Sequence, residues 1–163
     1  YKGGQVMAFA LTNYDWNNAK GPCCGVLACA IAAQRPFQDA WDWFKTWGKR
    51  CSHHSWRGRT YHSDYDKWFK FAGIKTIHRC YARYTLGMWQ ARYAKPNVPY
   101  FVRTTGHAQI IYNGMVRDQS GVIPLRKFWG RRKYVGDVWE IQVDDKTWQT
   151  FGLPLFDYKG GKL

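Results

Sequence analysis

The sequence predicts an α+β chain in which an N-terminal helical lobe packs on a C-terminal antiparallel β-sheet. Apolar residues recur at helical spacing through the first half, while β-branched, strand-like runs with an Asn-Gly turn dominate from Tyr100 onward. Runs of one element type followed by runs of the other favour α+β over an alternating parallel architecture. An aromatic content of 18% supplies large buried areas per residue and argues against disorder. At 163 residues the length suits one domain, assigned to residues 1–143, with a glycine-containing tail at residues 144–163.

Gln5 to Thr12 reads as a first strand, and the loop formers of Asn13 to Pro22 deliver the chain to Cys23-Cys24. Gly25 to Ala33 is small and apolar on all sides, which predicts a helix buried in the domain centre, with Pro22 favouring its start. After Arg35-Pro36, the spacing of Phe37, Trp41, Phe44 and Trp47 predicts an amphipathic helix ended by Gly48. Lys49 to Tyr61 is polar and basic, hence a loop. Ser63 opens a third helix with Asp66 as a variant capping box and Tyr65, Trp68, Phe69 and Ala72 on one face, and Gly73 closes it. Ile74 to His78 is a short strand. Thr85 caps a fourth helix bearing Leu86, Trp89 and Tyr93, stopped by Lys95-Pro96. Strands then follow at Tyr100 to Thr104, through the hairpin around Asn113-Gly114, at Val122 to Trp129 and at Val135 to Val143.

Asn-Gly between apolar, β-branched residues is a strong hairpin signal, because both turn positions take φ > 0. Counting outward from Tyr112 facing Met115 sets Gln109 opposite Asp118 and His107 opposite Ser120. His107 and Asp118 then share a face as diagonal neighbours, roughly 7–8 Å apart at Cα and within side-chain reach. Gln119, the other polar candidate, points to the opposite face. A histidine oriented by a carboxylate is the base-and-orienter part of a nucleophilic triad. Cys24 stands where a loop enters a helix, and backbone N–H groups with the helix dipole there lower a thiol pKa. Cys23 is the alternative nucleophile if the helix begins a residue earlier. Gly25 leaves room for a substrate backbone.

Gly21-Pro22-Cys23-Cys24-Gly25 ahead of an apolar helix, with Thr105-Gly106-His107 leading through a hairpin to Asp118, resembles the papain-like cysteine peptidases. Within that superfamily the layout looks most like the compact leader peptidases of bacteriocin exporters and small phage-encoded relatives. In the phage type a Gly-x-Pro-aromatic turn ends the cysteine helix, matched here by Gln34-Arg35-Pro36-Phe37, and counting back from it selects Cys24. The resemblance implies a papain-like fold and thiol-dependent peptidase or isopeptidase chemistry with catalytic Cys24, His107 and Asp118. It also implies an oxyanion-stabilising amide a few residues before the cysteine, for which Asn18 is the candidate and Asn17 the second.

A formal charge of +14, from 25 Lys and Arg against 11 Asp and Glu, attracts anionic partners. Arg57-Gly58-Arg59, Lys67 and Lys70, and Arg131-Arg132-Lys133 are interleaved with Trp56, Trp68 and Trp129, a composition suited to phosphate contact and stacking. Besides a peptide or protein substrate, the partners implied are therefore other virion proteins or nucleic acid on a basic surface. A second functional reading follows: a catalytically degenerate papain-like fold serving as a phage virion structural or host-interaction protein. Cys51, His53, His54, His78 and Cys80 lack the usual zinc-ligand spacings, so neither a metal nor another cofactor is expected. Five cysteines, two adjacent, fit no complete disulfide framework and point to a reducing compartment. No secretory pattern opens the chain and no apolar run reaches membrane-spanning length, so the expected location is the host-cell cytoplasm or the virion.

Overall fold

The computed structural model describes residues 23–47 and 56–142. The first strand over Gln5 to Thr12, Asn17 and Asn18, the cluster Cys51-His53-His54, and the 143/144 boundary with its tail lie outside the described residues. The described chain is α+β. Helix α1 covers Cys24–Ala33, α2 Phe37–Trp47 and α3 His62–Phe71; strand β1 (Lys75–Cys80) and helix α4 (Leu86–Tyr93) follow. Strands β2 (Tyr100–Thr104), β3 (His107–Tyr112), β4 (Met115–Asp118), β5 (Gly121–Pro124) and β6 (Val135–Gln142) complete it. The six strands form one sheet in the order β1-β6-β2-β3-β4-β5, every neighbouring pair antiparallel.

Burial explains why each run takes the form it does. In α1 every residue from Gly25 to Ala32 is buried, as an apolar run without a polar face requires. The helix ends on Gln34 at φ 53, a left-handed position where its N–H caps Ala30 and Ile31 carbonyls. Glycine would hold that conformation without the Cβ penalty. Helix α3 starts at His62, not Ser63: its N-cap is Tyr61 in extended conformation with no side-chain cap. Asp66 is drawn away from any capping role, because it accepts the Trp139 indole N–H at 2.6 Å. Gly73, at φ +74, ends the helix, and Thr85 caps α4 by accepting the Met88 N–H.

The sheet is covered on both faces. Helices α1, α2 and α3 pack on Phe101, Ala108, Ile110, Trp139 and Ile141. Leu86 and Trp89 of α4, with Leu125 and Phe128, cover Tyr100, Val102, Ile111, Val116 and Val138 on the other face. Consecutive residues of β2 therefore feed opposite cores, which is why its sequence reads as a continuous apolar run. The expected helical lobe occupies one face, and α4 crosses to the other.

The helical lobe is centred on Trp68, fully buried, with its indole N–H donating to the Cys29 carbonyl at 2.9 Å. Trp43 and Phe44 of α2 pack against it at ring-centroid distances of 5.4 and 5.9 Å. Trp68→Ala is expected to cost about 3–5 kcal/mol, since α1, α2 and α3 meet at this ring. A fall in the urea unfolding midpoint at unchanged slope measures it, and a loss below about 1 kcal/mol would contradict this placement.

Candidate active site

The Asn113-Gly114 turn has φ 47 and 74 at its two central residues, and the pairs Tyr112↔Met115, Ile111↔Val116 and Ile110↔Arg117 keep the register counted from the sequence. The β3–β4 ladder ends there because Asp118 turns back through Gln119-Ser120 to face Gly121. His107 and Asp118 remain on one face, and the ring Nε2 meets Asp118 Oδ2 at 2.8 Å. The second carboxylate oxygen accepts the Ser120 N–H at 2.8 Å, fixing the carboxylate plane. Both side chains are nearly out of water, at 8% exposure for His107 and 2% for Asp118.

With Nε2 held by Asp118, Nδ1 is the ring nitrogen left to serve the Cys24 thiol, which lines the same cleft and interacts with His107. Cys24 is the first residue of α1, and that helix lies on the face of β3 that carries Ala108 and Ile110. Burial opposes ionisation of Cys24, but the hydrogen bond and charge of His107, with N–H groups of Ala108 and Gly25, outweigh it and hold the thiol below its ordinary value. Burial likewise opposes the imidazolium of His107. Its hydrogen bonds to Asp118 and Cys24 win, and the pKa is pushed up to about 9. A low thiol beside a high imidazole is the electrostatic signature of a thiolate–imidazolium pair. Cys23, the alternative nucleophile, is buried in the helical core at 4% exposure.

These residues open on a cleft of about 530 Å³ whose walls include Thr60, Tyr65, Arg59 and Arg103. A Cβ on Gly25 would run into Thr60 Oγ1 and the Tyr65 hydroxyl, which hydrogen-bond each other at 2.7 Å. The space expected beside Gly25 for a substrate backbone is therefore taken by these two hydroxyls. Next to His107, Phe128 and Trp129 lie at ring-centroid distances of 6.2 and 5.1 Å. Trp129 stays 57% exposed with the Lys133 ammonium over its ring. The other two tryptophans of the basic clusters do different work: Trp68 is core, and Trp56 packs at a tilt against Trp41, ring centroids 4.6 Å apart, and donates to the Arg59 carbonyl.

No local sequence signal marks Thr60, Tyr65 and Arg103 as site residues, because each reaches the cleft only through the packing of distant elements. Arg103 is aimed by β6: between Val102↔Val138 and Thr104↔Val135 that strand carries one extra residue, a bulge that sets Asp137 against the guanidinium. His78 and Cys80, alternate residues on β1, meet the same carboxylate, a grouping that ligand-spacing rules do not anticipate. The sequence signal was the His-x-Cys pair on one strand face; the third member came from a strand far along the chain. Among the described residues no helix is long and apolar enough to cross a membrane. No protein-family model, curated protein or solved structure matches the chain.

Proposed function

We propose that the chain is a papain-like thiol hydrolase, a peptidase or isopeptidase, with Cys24 as nucleophile, His107 as general base and acid, and Asp118 as the group that orients it. The observation that carries this reading is His107, hydrogen-bonded through Nε2 to a buried carboxylate and lining one cleft with a thiol at a helix N-terminus whose pKa it lowers. The Cys24 thiolate attacks the carbonyl carbon of a peptide or isopeptide bond, and the electron pair of the C=O moves to oxygen. The Cys24 backbone N–H, at the start of α1, stabilises that oxyanion, and the resemblance offers Asn18, outside the described residues, as the candidate for a second donor. The His107 imidazolium then protonates the leaving nitrogen as the C–N bond breaks. Water, deprotonated by His107, displaces the acyl group from sulfur and restores the pair.

The two pKa directions set the expected pH profile. The depressed Cys24 value keeps thiolate present below the ordinary thiol range, so activity persists to lower pH than a free thiol allows. The raised His107 value keeps the proton for the leaving nitrogen until about pH 9, so the rate falls as pH rises through that point. Hydrolysis of a panel of fluorogenic peptide and isopeptide substrates across pH tests both limbs. Absence of turnover on the panel, with no thiol labelling by an electrophilic probe, would remove the hydrolase reading.

The second reading, a phage virion structural or host-interaction protein on the same fold, is favoured by surface aromatics beside cations. Trp129 and Tyr134 are 57% and 60% exposed, and Lys133 sits over Trp129 with its ammonium 4.7 Å from the ring centroid. Such a protein would be found at fixed stoichiometry in assembled particles, whose infectivity would survive Cys24→Ala. Absence from particles counts against it.

A further inference from the structure

Outside the cleft, β1 and β6 bring together three side chains with metal-binding atoms. Cys80 faces Asp137 and His78 faces Trp139 across the ladder, so alternation along both strands puts all four on one face. His78 Nε2 lies 2.9 Å from Asp137 Oδ1, and Cys80 Sγ lies 3.2 Å from the same oxygen. The imidazole nitrogen, the sulfur and a carboxylate oxygen all fall within 4.8 Å of one another.

We propose that His78, Cys80 and Asp137 form a binding site for a divalent transition-metal ion of the zinc type. Thiolate, imidazole and carboxylate are the donors zinc takes, at about 2.3, 2.0 and 2.0–2.2 Å, which puts tetrahedral neighbours roughly 3.2–3.6 Å apart. The two separations from Asp137 Oδ1, 2.9 and 3.2 Å, lie at or just inside that spacing, and the third is within 4.8 Å.

The surroundings hold the donors in place. The His78 ring stacks on Trp139 with centroids 4.5 Å apart and planes 7° apart, which fixes the direction of Nε2. Arg103 takes the other carboxylate oxygen, donating from Nε at 2.7 Å, so the carboxylate is oriented from behind and Oδ1, which now accepts from His78 and Cys80, is the oxygen that turns to the metal. Binding is balanced by two proton movements: neutral His78 shifts its ring proton from Nε2, which gives up its hydrogen bond to Asp137, to Nδ1, and the Cys80 S–H bond breaks with its electron pair going to the metal, so one proton is released to solvent per ion. Two anionic ligands then compensate the dication. His78 and Cys80 are both exposed, so the fourth position faces solvent and takes water. A harder cation such as magnesium or calcium would avoid the thiolate.

The cleft holds a second thiol and imidazole, and the test must separate the two places. Cobalt(II) titrated into the intact protein serves as the probe, read by the near-ultraviolet thiolate-to-cobalt charge-transfer band. The expected result is one equivalent bound, an unchanged band in Cys24→Ala, no band in Cys80→Ser, and binding weakened at least about tenfold in His78→Ala. Cys80 is solvent-facing, so its serine variant keeps the fold. The proposal is overturned by the absence of a band, by a band that survives Cys80→Ser, by unchanged affinity in His78→Ala, or by a band lost in Cys24→Ala. Failure here leaves the hydrolase reading untouched, because the two sites share no ligand.

Discussion

Cys24→Ala is expected to abolish hydrolysis, by on the order of 10⁴-fold or more, while leaving the unfolding midpoint nearly unchanged. The separation of the two effects follows from position. Cys24 is half-buried at the mouth of α1, and removing its sulfur empties the cleft side of the helix rather than its core. Its thiol is held below its ordinary pKa, unlike those of Cys29 and Cys80. Cys29 is fully buried and driven well up by desolvation, and Cys80 is pushed up chiefly by its hydrogen bond to Asp137. An electrophilic thiol probe applied below about pH 7, where ordinary thiols are protonated, should mark Cys24 first. Mass spectrometry of the labelled protein checks the site. Equal labelling of the Cys24→Ala protein would mean that the reactive thiol lies elsewhere and that the His107 geometry serves structure alone.

Local signals in the sequence carried the site's hairpin, because an Asn-Gly turn fixes register and register fixes which side chains share a face. The same holds for α1, whose lack of a polar face demanded burial on all sides, and for the Thr85 cap. Long-range pairing was not legible. Nothing near His78 or Cys80 announces that β1 will lie against β6, so Asp137 could not be assigned to them. The bulge in β6, which faces Arg103 and pairs it with Asp137, is likewise a product of two ladders meeting. Ser63 failed as a cap for a related reason. Its expected partner Asp66 gains more from the buried Trp139 indole, a contact from the far end of the chain, than from closing a first turn already exposed to water. The space beside Gly25 looks open in the sequence because its occupants, Thr60 and Tyr65, arrive from a loop and a helix with no sequence tie to it.

Asp118→Asn is expected to lower kcat by about 10²–10⁴-fold with little change in KM, although the shape of the side chain is retained. Asp118 uses both carboxylate oxygens as acceptors, one for His107 Nε2 and one for the Ser120 N–H. An asparagine has one oxygen and one NH₂, so one of those two donors must face another donor. If the oxygen stays on Ser120, the amide N–H points at His107 and Nε2 must accept. The ring proton then moves to Nδ1, the nitrogen left to serve Cys24, and the imidazole can no longer take the thiol proton. If the oxygen turns to His107, the tautomer is kept, but the Ser120 N–H is left without its acceptor and the imidazolium loses its countercharge. Either way the proton affinity of His107 falls from about 9 toward the ordinary histidine value, since the hydrogen bond to Asp118 is the largest influence raising it. The sign follows: a raised histidine pKa favours the imidazolium up to about pH 9, and its loss shifts the basic limb of the rate profile to lower pH. The thiolate loses its cation over the same range, so selective labelling of Cys24 below about pH 7 should slow in parallel with kcat. A variant whose kcat stays within tenfold of the parent, with an unmoved basic limb, would show that His107 works without its carboxylate and would reduce Asp118 to a turn residue.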